Sequence, residues 1–118
     1  MQELRALCFE TTDIVRAVVP FLQGRGEDIP RGMVEDVALA SGPPFSCTLT
    51  ILDDDGHRHS RVVDEATCAA ALIAFCMDRR VPLPADATRQ LEAVGGQAVM
   101  TFRVNGRRSL RSRRPAAR

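Results

Sequence analysis

No lysine, tyrosine or tryptophan occurs in this chain of 118 residues. All sixteen cationic side chains are therefore arginine, and five phenylalanines are its only large aromatic residues. Each absence excludes something. A phosphate loop of the GxxxxGK[ST] type needs a lysine, and neither Gly24–Glu27 (GRGE) nor Val94–Gln97 (VGGQ) matches it or the GxGxxG pattern. The GXXG clamp of KH domains is missing as well. So few aromatics argue against a large ligand pocket, and the C-terminal arginine segment, with no aromatic residue, offers no platform for stacking bases. No apolar run approaches the ~20 residues that span a bilayer. The start, MQELRALCFETTDIVRAV, has no basic stretch leading into an unbroken apolar segment and does not read as a secretory signal. Cys8, Cys47, Cys68 and Cys76 show no CxxC spacing and sit among apolar neighbours, so they read as free thiols of a cytoplasmic protein.

Acid is missing altogether from residues 103–118, which carry seven arginines and a charge of +7. Residues 1–102 hold fifteen acids against nine arginines, a charge of −6 (9 − 15). The net +1 thus hides an acidic body followed by a basic tail. Arginine pairs bidentately with carboxylate and phosphate alike, so the tail fits a nucleic acid, an anionic membrane, or an acidic protein surface, its own or a partner's.

What is present builds one domain over residues 1–104. A chain of this length hides roughly 65% of its unfolded surface, enough for a modest core. Residues 2–9 fit a helical turn or a short strand equally. Thr11 or Thr12 caps a helix beginning at Asp13, whose inner side is Ile14, Val15, Val18, Val19 and Leu22; Pro20 kinks or ends it. Residues 33–40 suit a strand. Phe45, Cys47, Leu49 and Ile51 alternate with Ser46, Thr48 and Thr50, the period-two pattern of a half-buried strand. Asp55-Gly56 predicts a two-residue hairpin turn with HRHSRVV returning. Asp64 caps a helix over 65–79 that carries no charge from Ala66 to Met77. The spacing predicts a short amphipathic helix over 85–94, stopped at Gly95, then a strand over 97–104. No internal repeat is visible. These elements give an α+β fold: a small antiparallel sheet of about three to five strands around a central hairpin at 45–63, with about three helices mainly on one face. Residues 105–118 read as a disordered arginine-rich tail.

Three groups of residues carry functional expectations. Ala66, Ala70, Ile73 and Met77 form one apolar face of helix 65–79, opposite Leu72, Phe75 and Cys76. A helix apolar nearly all round needs cover on two sides: the sheet offers one, and the first helix or a second copy of the chain the other. Arg107, Arg108, Arg111, Arg113 and Arg114, together with Arg103 and Arg118, are the candidates for contacting phosphate or an acidic partner, against the reading of a solvated, functionally idle tail. A two-residue turn at Asp55-Gly56 pairs Asp54 with His57 and brings Asp54, His57 and His59 to one face, a ligand set for zinc or a similar ion. Calcium fits less well, because Ile51 stands where an EF-hand loop places a ligand. Catalysis finds no signature. Cys68 lies in the first turn of a helix, but no histidine is near it in sequence, and an exposed aspartate turn lacks the dry cleft that raises a carboxyl pKa. The expected function is a non-enzymatic interaction module that binds another protein or itself, with no cofactor. The alternatives are phosphate contact by the tail with nucleic acid, and metal binding at the hairpin.

Overall fold

A computed structural model describes residues 2–84 and 87–105. In chain order the elements are β1 (Gln2–Phe9), α1 (Thr11–Gly24), β2 (Gly32–Ala40), β3 (Ser46–Asp53), β4 (Arg58–Asp64), α2 (Glu65–Asp78), β5 (Ala87–Val94) and β6 (Gln97–Asn105). The class is α+β with antiparallel pairing. The strands divide into two three-stranded sheets, ordered β1-β6-β5 and β2-β3-β4, in place of the single sheet expected. Among the described residues there are two helices, not three. None is long and apolar enough to cross a membrane.

The expected helix over 85–94 is strand β5. Leu91 is buried, Ala93 is half-buried two residues on, and both alternate with exposed Gln90, Glu92 and Val94. Leu91 and Val94 are also three apart, so the short stretch satisfied a helical template. The glycines decide the matter. Gly95 and Gly96 both have positive φ, +57° and +79°, the backbone of a two-residue hairpin turn rather than of a helix stop. Residues 2–9 resolve to strand β1, paired along its length with β6 from Gln2–Asn105 to Phe9–Ala98. Helix α1 starts at Thr11, with Glu10 in the N-cap position donating its N–H to Asp13 Oδ2 at 3.1 Å, and it runs through Pro20 to Gly24. Helix α2 is capped as read, by Asp64 Oδ1 accepting from the Thr67 N–H at 2.8 Å. Of the seven tail arginines, Arg103 belongs to β6; Arg107, Arg108, Arg111, Arg113, Arg114 and Arg118 lie outside the described residues.

The chain is also a structural repeat. The first half, β1-α1-β2-β3, and the second, β4-α2-β5-β6, have the same element order. Their strands fill matching positions, since β1-β6-β5 maps onto β4-β3-β2. Both helices have 14 residues, and buried Ile14, Ala17, Val18 and Leu22 of α1 recur 54 positions later as Cys68, Ala71, Leu72 and Cys76 of α2. Phe9 and Val63, buried just before each helix, keep the same spacing. Cys47, Leu49 and Ile51 of β3 recur 51 positions later as Ala98, Met100 and Phe102 of β6, all buried. The spacing drops by three because five residues join β2 to β3 and only two join β5 to β6. Each half gives its first strand to the other half's hairpin, so neither sheet belongs to one half alone. The helices pack on each other, α1 also against β1, β2 and β6, and α2 against β3 and β4. Between the sheets, the Ala93 N–H donates to Ser41 Oγ at 3.1 Å. The result is one continuous core, and no charged or polar side chain is buried among the described residues.

Candidate functional site

The outward face of α2 departs from the repeat. Ala66, Ala70, Ala74 and Met77 are all exposed, Met77 to 66%, with Ile73 half-buried at their side. Their counterparts on α1 are Thr12, Arg16, Pro20 and Gln23, also exposed. The inner faces therefore match while the outer faces differ in polarity. Leu72 and Cys76, read from sequence as the second apolar face, are buried against the core, and Phe75 is half-buried beneath Arg79. The Arg79 guanidinium lies 3.7 Å from the Phe75 ring centroid, and Arg25 repeats the contact on α1 at 5.5 Å from Phe21. Such stacking covers a ring while keeping the charge in water. Between the helices runs a groove of about 550 Å³ lined by Arg16, Pro20, Phe21, Ala74 and Phe75 among others. Sequence reasoning found four residues of this surface and missed Ala74, which follows Ala70 by one turn and completes the ridge.

The hairpin tip differs from its expected geometry by one residue. The loop is not a two-residue turn at Asp55-Gly56. Gly56 N–H donates to the Asp53 carbonyl at 3.1 Å, Asp53 N–H to the His57 carbonyl at 2.9 Å, and Gly56 takes φ +84°. Three residues thus separate Asp53 from His57, the loop form in which a glycine follows a turn. Arg58 pairs with Leu52 and His59 with Ile51, where the shorter loop set Leu52 against His59. His59 therefore falls on the face of Asp53, and Asp54 is left at the loop apex. Asp53 Oδ1 accepts the backbone N–H groups of Asp55 (2.9 Å) and His57 (2.8 Å), and His59 Nε2 lies 2.7 Å from Oδ2. His57 Nδ1 is 3.8 Å from the same oxygen. The His59 contact, with the backbone donor of His57 next, holds the Asp53 carboxyl down at about 2. Asp53, Asp55 and His57 each offer a ligand atom, all within 4.8 Å of one another. Arg58 extends the charged tip by binding Glu35 with Nε and Nη2 at 2.7 and 3.1 Å.

The thiols show no reactive arrangement. Cys47, Cys68 and Cys76 are buried and Cys8 is exposed, all unpaired. Burial pushes Cys47 up to about 11 and Cys68 up to about 12, so desolvation overrides the helix N-terminus at Cys68. Both histidines of the chain sit at the hairpin, so neither serves a thiol as base. Compared with protein-family models, with curated proteins and with solved structures, the chain matches none.

Proposed function

We propose that this chain is an interaction module that acts by associating with a second copy of itself through the outward face of α2. The observation behind this reading is the exposure of Ala66, Ala70, Ala74 and Met77 at positions where the equivalent helix carries Thr12, Arg16, Pro20 and Gln23. Small side chains let two helix axes approach to about 8 Å. Charge complementarity favours a like partner. Asp64 and Glu65 stand at one end of α2 and Arg79 and Arg80 at the other. Two copies crossing antiparallel set the acids of each against the arginines of its mate, with opposed helix dipoles. The ridge from Ala66 to Met77 is only about 16 Å long at 1.5 Å per residue, and a standard interface needs roughly 800 Å² per partner. The adjoining groove with Pro20 and Phe21 extends the contact, and the expected dimer is micromolar.

Sedimentation equilibrium of the full chain tests this. A concentration-dependent dimer is expected, and Ala70→Arg abolishes it by placing like charges near the two-fold axis. Gln23→Arg, on the other helix about two turns beyond the counterpart of Ala70, leaves it intact. A strict monomer at about 100 μM, well above the micromolar range that a small interface supports, rejects the proposal.

A second reading rests on charge alone. The seven arginines after residue 102 suit sequence-independent phosphate contact. Its test is fluorescence anisotropy with RNA and DNA at two salt concentrations. Binding is lost when the chain ends after Asn105; binding that survives the truncation, or none to begin with, rejects this reading.

A further inference from the structure

The hairpin tip carries an inference independent of self-association: we infer that Asp53, Asp55 and His57 bind a zinc-class divalent cation, with His59 positioning Asp53.

The backbone fixes this set. Asp53 Oδ1 is committed to two N–H donors of the loop it closes, which leaves Oδ2, a carboxylate oxygen with a second lone pair beside the one that meets His59, as the ligand atom. The Asp53 side chain is only 18% exposed and cannot swing freely, whereas the ring of His57 stands in solvent at 76%. Around a tetrahedral zinc, with bonds of about 2.0–2.2 Å, neighbouring ligand atoms lie ~3.4 Å apart. His57 Nδ1 and Asp53 Oδ2 are 3.8 Å apart, and the Asp55 carboxylate lies within the same 4.8 Å cluster. Side-chain rotations that shorten these separations by up to about 1.4 Å bring three ligands to one ion.

His59 does a different job. Its Nε2–H donates to Asp53 Oδ2 at 2.7 Å and aims that oxygen at the site, as the outer hydrogen-bond partners of metal ligands do. Asp54 is not part of the set. One imidazole with two carboxylates suits zinc, cobalt or nickel better than magnesium or calcium, which prefer oxygen alone. The exposed position of Asp55 and His57 leaves the fourth coordination site to water.

The experiment is calorimetric titration of the tag-free full chain with zinc chloride, repeated with calcium chloride. It is paired with nitrogen-15 NMR of the imidazoles, which is clean because the chain has two histidines. Saturable one-to-one zinc binding is expected, with the His57 Nδ1 resonance moving and calcium at least tenfold weaker. His57→Ala weakens zinc by about a hundredfold and His59→Ala by about tenfold, the range seen for lost outer-sphere partners. Both variants lie on an exposed tip, and unchanged far-ultraviolet circular dichroism shows that they fold. Cys8→Ser binds as the parent does. No saturation, equal affinity for calcium, binding unchanged in His57→Ala, or binding lost in Cys8→Ser each overturns the assignment.

Discussion

The two halves of this molecule agree inside and disagree outside. Ile14 and Cys68, Val18 and Leu72, and Leu49 and Met100 occupy the same places in the core without sharing identity. On the surface, Arg16 meets water where the other half has Ala70, and Gln23 where it has Met77. Packing constrains volume and polarity at a core position; it asks nothing of a solvent-facing one. Two regions with one scaffold and two exteriors show which residues serve the fold and which are free for another purpose. The ridge on α2 belongs to the second kind, because the fold manages without it on α1.

The comparison breaks most visibly in the core. Leu49→Ala and Met100→Ala each remove a fully buried side chain from matching strands and are expected to cost about 2–5 kcal/mol apiece. Urea melts followed by circular dichroism check this. Both variants unfold in one transition, because each sheet takes a strand from the other half. Two resolved transitions in either variant contradict the exchange of strands.

The next effect sharpens a contrast between the helices. Pro20 lies inside α1 where α2 has Ala74. Replacing it with alanine restores a backbone donor and a good helix former, and is expected to raise stability by about 1–3 kcal/mol, part of the ~3 kcal/mol between the two residues being returned through a looser unfolded chain. Thermal melts decide it; an unchanged or lower Tm means that the neighbouring backbone is built around the proline.

The smallest effect concerns the caps. Asp64 accepts a hydrogen bond from Thr67, which lowers its pKa below the ordinary value, whereas Glu10 meets its helix through its own N–H. A lowered folded pKa gives stability that is whole above the unfolded value and is lost as pH falls through the folded one. Asp64→Ala therefore lowers Tm at neutral pH more than Glu10→Ala does, and the difference from wild type narrows below about pH 4, the unfolded aspartate value. A gap that stays constant down to pH 2 removes the carboxylate from the account.

How much of this was legible beforehand follows from the same physics. Strand β3 announced itself by strict alternation between Phe45 and Ile51, and α2 by twelve uncharged residues between Asp64 with Glu65 and Asp78. The segment over 87–94 deceived because Leu91 and Val94 satisfy two periods at once, and only the conformation of the Gly95-Gly96 pair separates them. The hairpin was placed correctly and its register missed by one, since Asp55-Gly56 is a good two-residue turn and an equally good end to a three-residue loop. That single step exchanged Asp54 for Asp53 at the tip. The repeat stayed hidden because cysteine, leucine and methionine replace isoleucine, valine and leucine at matched depths, which preserves burial and erases similarity.

The pairing of β1 with β6 has a consequence for biosynthesis. Gln2 lies opposite Asn105, so β1 finds its partner only when nearly all the described chain has followed it off the ribosome. β2, β3 and β4 close their own sheet as they emerge, and α1 and α2 can meet on it. Until β6 arrives, Leu7 and Phe9 have no sheet to join. Of the described strands β1 thus waits longest, and a ribosome stalled before residue 97 holds a half-assembled fold with β1 unpaired.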